Sequence, residues 1–542
     1  MTGKKRSPAL ELMSILLVVA VVVPLLASCG GAAPTATPTQ PPAVQPTQAP
    51  TQPQQPTAAP AKEKVFRFGR YMDAVTPDPV MNDANRDIWY MQQYYSGLLR
   101  FTPDMQVEGD LAERWEVSPD GLTYTFYLRP GLKFADGSPV TPEDWLWSLN
   151  RARDPNNGIW WFTLEAVDSI QADEQKVVFK LKEPYVPFIF SPALFNAVVM
   201  PKAKVEAAGG WEKFMQSPIG TGPFVMTKWV KNDEMVLERN PYYWQKGLPV
   251  VDKIVLKTIP DDNARVLALQ KGDVDAINFV PKNRVAELQA DPNIEVLMFP
   301  STMTNYITLN IRNKPLDDKR VRQALSHAID RNALIKIVNF GIGEPATTFR
   351  PRGSLYYNDS LPGWPYDVEK AKALLAEAGY PNGFTITCQI VSGNESDLQI
   401  ATVVKDMWAK IGVTLNIQQV EPGLWTDNYY KNNFEALINY WTDDIPDPSQ
   451  ETNYAVVFKT AESFHTGFRS DEVDQLAAAA LKETNPEKRK QMYWRIQEIF
   501  NDETPMLPLW HEPFIVAVRS NVKNFLQTPL GTYVWRTLDV VQ

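Results

Sequence analysis

Hydrophobic and polar positions alternate along the chain with two different periods. A period of two runs through residues 122–128 and 177–181 and predicts strands whose apolar side chains share one face. A helical period runs through residues 85–99, 318–331 and 485–500. Because strand-like and helix-like segments follow one another along the chain, the pattern predicts a mixed α/β fold.

Capping residues mark helix boundaries at two places. Thr141 is a preferred N-cap residue, and Pro142 after it suits the first helical position. Gly272 follows a short helical pattern at residues 263–271, where a glycine commonly ends a helix. These signals predict a helix that begins at Thr141 and another that ends at Gly272.

One apolar segment passes directly into an acidic loop that contains prolines. Residues 434–441 are apolar enough for a mostly buried strand, and residues 443–448 read DDIPDP. Such a loop places carboxylates at the rim of a sheet, where open α/β folds bind ligands. Trp441 would then provide a flat apolar wall and Asp444 an anionic anchor. Asp-Pro pairs also favour ordinary solvated turns, and the residues alone leave both interpretations open.

Length and charge limit the class of protein. A chain of 542 residues is long enough for three or four structural units. The net charge of −9 argues against nucleic acid as a partner and against a basic membrane-binding surface. The 16 tryptophans and 20 tyrosines supply core residues and also the material for ligand-binding walls.

The N-terminus has the pattern of a targeting segment. Lys4–Arg6 is positively charged, and residues 12–26 form an apolar run that is short for a membrane span. Leu26–Cys29 resembles the lipobox of bacterial lipoproteins. That resemblance implies a signal peptide at residues 1–28, cleavage before Cys29, and lipid attachment to the Cys29 thiol. We expect an exported protein held by lipid chains on the outer face of the cell membrane.

The residues after Cys29 predict a tether. Residues 29–63 are rich in proline, threonine and glutamine and contain too few apolar side chains to fold. Prolines favour an extended, semi-rigid spacer. Cys388 is the second of two cysteines and lies in a strand-like stretch, so we predict a buried apolar role for its side chain and no disulfide.

Several motifs together resemble one family, the family 5 solute-binding proteins of ABC importers, which bind dipeptides, oligopeptides or nickel. The most specific match is Leu111–Arg151, which reads LAERWEVSPDGLTYTFYLRPGLKFADGSPVTPEDWLWSLNR. Ser96 departs from the family's YEGL motif, where an acid is usual. The remaining matches are Tyr95–Leu98, Gly220–Phe224, Asn240–Trp244, Arg320–Leu325 and Asp330–Arg331.

The resemblance implies a two-lobed, periplasmic-binding-protein-like fold with two crossing hinge segments and an extra subdomain on lobe I. A ligand binds between lobes that close by hinge motion, and a membrane permease with its ATPase subunits receives it. We expect a monomer that uses no cofactor and is not an enzyme. Projected on this chain, lobe I takes residues 64–100, 217–308 and 509–542, the subdomain takes 101–216, and lobe II takes 309–508.

The resemblance also implies a site. In peptide-binding members, an acid three residues after a tryptophan pairs with the α-ammonium of the peptide, which places that acid at Asp444 after Trp441. Arg350 and Arg352 lie in the region expected to hold the other end of the peptide, without a residue-by-residue match. For Tyr95, Gly97, Gly222 and Phe224, roles in packing or in turns are equally open. These further candidate ligand contacts are Asp443, Asp447, Tyr95, Gly97, Gly222, Phe224 and Trp425.

Three other functions remain open on the sequence. An oligosaccharide could stack on Trp441, Trp425, Trp160 and Trp161 while Asp443, Asp444 and Asp447 accept hydroxyl hydrogen bonds. A metal chelate is less favoured, because His327, His465 and His511 are widely spaced and metal sites need clustered ligands. A surface hydrolase is disfavoured by the absence of a GxSxG motif.

Overall fold

The structure, a computed structural model, describes residues 62–82 and 84–541. Residues 62–542 form one compact unit. The predicted signal peptide, Cys29 and residues 29–61 of the predicted tether lie outside the described residues. Within the described part, no helix combines the length and apolar character needed to cross a bilayer.

Strands and helices alternate along the described residues, which confirms the α/β prediction. The strands are β1 Val65–Arg70, β2 Leu99–Phe101, β3 Val107–Gly109, β4 Ala112–Val117, β5 Thr123–Leu128, β6 Val167–Ala172, β7 Lys176–Leu181, β8 Phe224–Val230, β9 Glu234–Arg239, β10 Lys253–Thr258, β11 Ala276–Asn278, β12 Ile294–Phe299, β13 Thr304–Leu309, β14 Glu344–Pro345, β15 Thr385–Val391, β16 Thr414–Val420, β17 Ala436–Trp441, β18 Met506–His511, β19 Phe514–Arg519, β20 Val522–Lys523 and β21 Asp539–Val540.

The helices surround these strands. They are α1 Asn85–Met91, α2 Pro142–Ala152, α3 Lys202–Ala208, α4 Trp211–Phe214, α5 Asp262–Lys271, α6 Val285–Gln289, α7 Lys319–His327, α8 Arg331–Val338, α9 Val368–Glu377, α10 Glu395–Ala409, α11 Pro422–Tyr430, α12 Ser449–Ala455, α13 Phe458–Ala461, α14 Asp471–Ala480 and α15 Pro486–Glu503, with 3₁₀ helices at Trp161–Leu164, Val186–Ala193 and Lys282–Arg284.

The described residues contain three larger sheets and two two-stranded ones, β2-β3 and β20-β21. The first lobe is built on a seven-stranded sheet in the order β12-β19-β11-β1-β10-β9-β8, and the second lobe on a six-stranded sheet in the order β14-β18-β13-β17-β15-β16. The four-stranded sheet β4-β5-β7-β6 forms a subdomain within residues 112–181. The chain passes between the two large sheets at residues 300–303 and 512–513, a few residues from the boundaries expected at 308 and 508.

The predicted capping residues act as expected. The Thr141 side chain accepts a hydrogen bond from the Asp144 amide, and the Asp144 carboxylate accepts one from the Thr141 amide, so the pair forms a capping box. Gly272 ends α5 in the left-handed conformation. Cys388 is buried, and desolvation raises the pKa of its thiol to about 12, as expected of a packed apolar residue.

Two predicted helices have different bounds in the structure. The helix predicted over residues 85–99 ends at Met91, and the chain then packs against the 3₁₀ segment Val186–Ala193 before it reaches β2. A Cβ atom on Gly97 would lie 2.8 Å from the Pro192 carbonyl oxygen, so this close approach requires glycine. The helix predicted over residues 318–331 ends at His327, and Asp330 caps a second helix, α8, that begins at Arg331.

Candidate functional site

The two connections between the lobes lie side by side. The Glu512 amide donates a hydrogen bond to the Met303 carbonyl oxygen at 3.3 Å, and the Ser301 hydroxyl donates to the Glu512 carbonyl oxygen. Each connection is short and they touch each other, so the lobes are joined along one line. This is the geometry of a hinge.

A cavity of about 640 Å³ lies between the lobes next to this hinge. Its volume is in the range of small-molecule sites. The first lobe contributes Tyr71, Trp89 and Phe279, and the second lobe contributes Phe340 and Glu395. Further lining residues include Arg265, Asn278, Lys282, Met303, Ser396, Gln399, Glu512, Phe514, Gln527 and Tyr533.

Sheet topology explains why these residues meet. Strand β1 pairs in parallel with β11, so Tyr71 and Phe279, which follow their carboxyl ends, lie at one edge of the first sheet. Strand β15 pairs in parallel with β17, so Glu395 and the acidic loop after Trp441 share one edge of the second sheet. Ligands of open α/β sheets bind at such edges.

The two cationic side chains of the cavity wall, Arg265 and Lys282, already have partners. Arg265 is buried and donates to the carbonyl oxygens of Asn278 and Phe279 at 3.2 and 2.9 Å and to Asp262 at 2.6 Å. Lys282 pairs with Glu512 at 2.9 Å. Glu395 has no ion-pair partner among the described residues. The wall therefore presents aromatic rings, amides and one unpaired carboxylate.

Asp444 lies in a crevice where the second lobe meets the first. Its neighbours there include Ile88, Gln92, Leu530 and Thr532. Helix α1 and the segment Leu530–Tyr533 line both this crevice and the 640 Å³ cavity, which makes the two spaces neighbours.

The Asp444 carboxylate is held by a neutral side chain. Gln450 donates its amide to an Asp444 oxygen at 2.7 Å, and the Asp444 backbone amide donates back to Gln450 at 2.7 Å. Desolvation raises the pKa of Asp444 to about 6, and no cation among the described residues offsets this. Asp444 is partly buried, and an ionised carboxylate in a crevice without a counter-ion is an electrostatic site for a cationic group.

Asp447 lies on the same loop and has an internal partner. It forms a two-pronged ion pair with Arg489 at 2.7 and 2.8 Å, and both side chains are almost fully buried. Arg350 reaches buried Glu451 at 3.3 Å, and so it faces its own lobe. These pairs fasten the loop that carries Asp444 to the second lobe.

Asp443 is also turned inward. It accepts a hydrogen bond from the Trp441 indole at 2.9 Å, and its amide donates to Thr302 at 2.8 Å. Burial raises the pKa of Asp443 to about 7, although Arg350 opposes the shift. Of the three predicted acids in this loop, Asp444 is the one whose charge has no internal cation beside it.

The predicted tryptophan contacts lie off the cavity wall. Trp441 packs on Tyr454 and Phe464, at ring-centroid distances of 4.7 and 5.1 Å. Trp425 stacks on Tyr429 at 5.6 Å. Trp160 donates its indole N–H to the Asn82 carbonyl oxygen, and Trp161 begins a 3₁₀ helix in the subdomain.

Four candidates from the family motifs are packed in the interior of the first lobe. The buried Tyr95 hydroxyl donates to the Pro77 carbonyl oxygen at 3.0 Å. A Cβ atom on Gly222 would come within 2.6 Å of the Tyr94 backbone, so glycine permits this contact. Phe224 is fully buried, and Gly97 abuts Pro192. These positions shape the lobe beneath the site.

The remaining candidates are dispersed. Arg352 is half-exposed and pairs with Glu344 at 3.3 Å. The three histidines have separate partners, Pro365 for His327, Asn432 for His465 and Thr304 for His511. No group of three or more His, Cys, Asp or Glu side chains within residues 62–82 and 84–541 could hold a metal ion.

Sequence reasoning missed most of the cavity wall. Tyr71, Trp89, Phe279, Phe340 and Glu395 come from segments far apart in the chain. For Tyr71 and Phe279 there was a usable signal, because they directly follow the parallel strands β1 and β11, and residues after the carboxyl ends of such strands gather at the ligand edge.

Comparisons with known proteins agree with this architecture. The sequence model for bacterial extracellular solute-binding proteins, family 5 Middle, matches residues 106–460. The glutathione-binding protein GsiB of Salmonella typhimurium is 31% identical over 486 residues, which cover 87% of this chain and 93% of that protein.

Two solved structures superpose over nearly their whole length. HbpA2 from Haemophilus parasuis matches with a TM-score of 0.79 and 28% identity over 88% of this chain and 100% of that one. The ABC transporter-associated periplasmic binding protein DppA from Helicobacter pylori, solved in complex with the peptide STSA, matches with a TM-score of 0.77 and 27% identity over 88% and 98%. The chain therefore belongs to the bacterial extracellular solute-binding proteins of family 5, which are the non-enzymatic substrate-binding components of ABC importers.

Proposed function

We propose that this protein captures short peptides between its two lobes and delivers them to a membrane permease. The observation that carries the proposal is the Asp444 carboxylate, which lies where the lobes meet and has only neutral Gln450 as its side-chain partner. The α-ammonium of a peptide is the counter-ion that this site lacks. A glutathione-binding relative and a structural neighbour with a bound peptide support the same ligand class.

The contacts between the lobes are suited to a ligand-driven closure. Thr442 of the second lobe accepts a hydrogen bond from Asn85 of the first lobe at 3.3 Å. Lys482 of the second lobe forms an ion pair with Glu183 of the subdomain at 2.7 Å. Val186 donates its amide to the Leu481 carbonyl oxygen at 2.8 Å. An exposed ion pair and two hydrogen bonds contribute little net free energy. A ligand that binds both lobes would therefore decide the population of the closed form.

Oligosaccharide binding receives less support from the geometry. The four tryptophans expected to stack on sugar rings lie off the cavity wall, and Asp443 and Asp447 have internal partners. A thermal-stability panel separates the two ligand classes. Peptides with a free α-ammonium should stabilise the protein, by about 2.7 kcal/mol at a hundredfold excess over Kd. Stabilisation by oligosaccharides and by no peptide would overturn the proposal.

Peptide affinity should fall as the pH drops below about 6. The raised pKa of Asp444, about 6, means that the carboxyl becomes neutral below this pH and no longer attracts an ammonium group. We expect Kd to rise about tenfold per pH unit below the pKa and to be flat from there to about pH 7, above which the α-ammonium of the peptide begins to lose its proton. Calorimetric titrations across this range check the slope, and the Asp444→Asn variant should lack it. A wild-type Kd that does not change with pH would contradict the role of Asp444.

We further propose that Cys29 carries the lipid that holds the protein at the cell surface, as its lipobox-like context implies. Replacing Cys29 by serine removes the thiol that accepts the lipid, and the protein should move from the membrane fraction to the soluble exported fraction. Cell fractionation followed by mass spectrometry of the N-terminal peptide checks this. Retention of the Cys29→Ser variant in the membrane would refute the anchor.

A further inference from the structure

Two phenylalanines, one from each lobe, face the 640 Å³ cavity with unusual backbone conformations. Phe279 has φ +48° and Phe340 has φ +52°, both in the left-handed region that side chains rarely adopt. Their side chains are 39% and 57% exposed, although phenylalanine is normally buried. Both phenylalanines therefore combine a disfavoured backbone conformation with an exposed apolar ring, and both line the same cavity.

Local folding does not require phenylalanine at either position. Phe340 follows helix α8, where the left-handed residue is usually glycine, and the chain supplies glycine immediately afterwards at Gly341 and Gly343. Phe279 follows strand β11, and its carbonyl oxygen accepts from Arg265, which any residue could provide. Sites of backbone strain concentrate where ligands are held.

The surrounding wall continues the aromatic surface. The Phe279 ring lies 4.2 Å from Tyr71 and stacks on Trp89 at 5.9 Å with 12° between the planes. Phe514 and Tyr533 line the same cavity. Rings that support one another in this way form a rigid apolar surface on the first lobe. Phe340 lines the same cavity from the second lobe.

We propose that Phe279 and Phe340 form an aromatic clamp that holds a bulky apolar or aromatic side chain of the peptide. The inference rests on the proposed peptide function and specifies which peptides bind best. A side chain placed between the lobes is removed from water on both faces. A hydroxyl-rich group would instead leave polar atoms against phenyl rings that cannot hydrogen bond.

The clamp is tested with the dipeptides Ala-Ala and Ala-Phe, which share the free ammonium. We expect the wild-type protein to bind Ala-Phe more tightly than Ala-Ala by about ten- to a hundredfold, the range for burying one large apolar side chain. Phe340→Gly should weaken the binding of Ala-Phe about tenfold more than the binding of Ala-Ala, so that most of this preference is lost. Because glycine tolerates the left-handed backbone, the melting temperature of the ligand-free variant should stay the same or rise.

Met105→Gly is the matched control, since Met105 also has a left-handed backbone, with φ +66°, and is not on the cavity wall. It should leave both affinities unchanged. If both dipeptides bind and Phe340→Gly weakens them equally, or if the wild type does not distinguish them, the clamp is refuted while peptide capture stands. If neither dipeptide binds, the proposed function fails and the clamp fails with it.

Discussion

Replacing Asp444 by asparagine should weaken the binding of short peptides by about 2–5 kcal/mol, the usual result of removing one partner of a desolvated charge pair. Asparagine keeps the shape of the side chain and its contact with Gln450, so the change removes the charge alone. In Kd the loss is about thirtyfold or more. Isothermal titration calorimetry measures it directly.

The stability of the ligand-free protein should not fall in the Asp444→Asn variant. Above about pH 6 the Asp444 carboxyl is mostly ionised, and its raised pKa means that the ionised form destabilises the folded protein relative to the unfolded chain. Removing that charge should therefore leave the melting temperature at neutral pH unchanged or higher. Loss of affinity without loss of stability distinguishes a ligand contact from a structural residue.

Two controls isolate the ammonium. Asp427→Asn removes an exposed carboxylate of the second lobe that pairs with Lys431, and it should not alter binding. An N-acetylated peptide should bind the wild type about as weakly as the free peptide binds Asp444→Asn, and the two losses should not add. Unchanged affinity of Asp444→Asn, or fully additive losses, would exclude the pairing.

Replacing Arg489 by methionine should lower the free energy of unfolding by about 3–5 kcal/mol, because it leaves the Asp447 carboxylate buried without its counter-ion. Both carboxylate oxygens of Asp447 accept hydrogen bonds from Arg489, at 2.7 and 2.8 Å. Arg489 also donates to the Ala480 carbonyl oxygen at 2.7 Å. Denaturant titration of the variant and the wild type measures the difference. Peptide affinity should fall as well, since the loop that carries Asp444 loses its fastening.

The same helix offers a matched control. Arg495 on α15 pairs with Glu472 at the surface, and Arg495→Met should change stability little because solvent screens that pair. Adding Asp447→Asn to Arg489→Met should recover a large part of the lost stability, because no unpaired charge is then buried. If Arg489→Met and Arg495→Met lower the free energy of unfolding equally, the buried Asp447–Arg489 pair does not stabilise the loop.

The sequence was most informative where the structure depends on neighbouring residues. The strand that ends at Trp441, the capping box at Thr141 and the glycine that ends α5 follow from local periodicity and backbone chemistry. The family resemblance implied two lobes joined by two crossing segments. The helix predicted to reach residue 99 ends at Met91, and Gly97 beyond it packs against the Pro192 backbone, a contact between residues nearly a hundred positions apart that local periodicity does not record.

The site was only partly predictable for the same reason. Asp443, Asp444 and Asp447 are equivalent candidates in the sequence. They differ in whether a cationic side chain lies next to each of them in the folded protein. Asp447 meets Arg489 and Asp443 lies near Arg350, whereas Asp444 meets Gln450. Phe279 and Phe340 line one cavity from different lobes, and no local sequence pattern records that they share it.

A crystal structure of the purified protein with bound Ala-Phe tests the central claim most directly. The account predicts that the peptide lies between the lobes, with its ammonium nitrogen about 3 Å from an Asp444 carboxylate oxygen. The phenyl ring should lie between Phe279 and Phe340. A peptide bound outside the interlobe space, or held there by other groups while Asp444 remains on Gln450, would contradict the account.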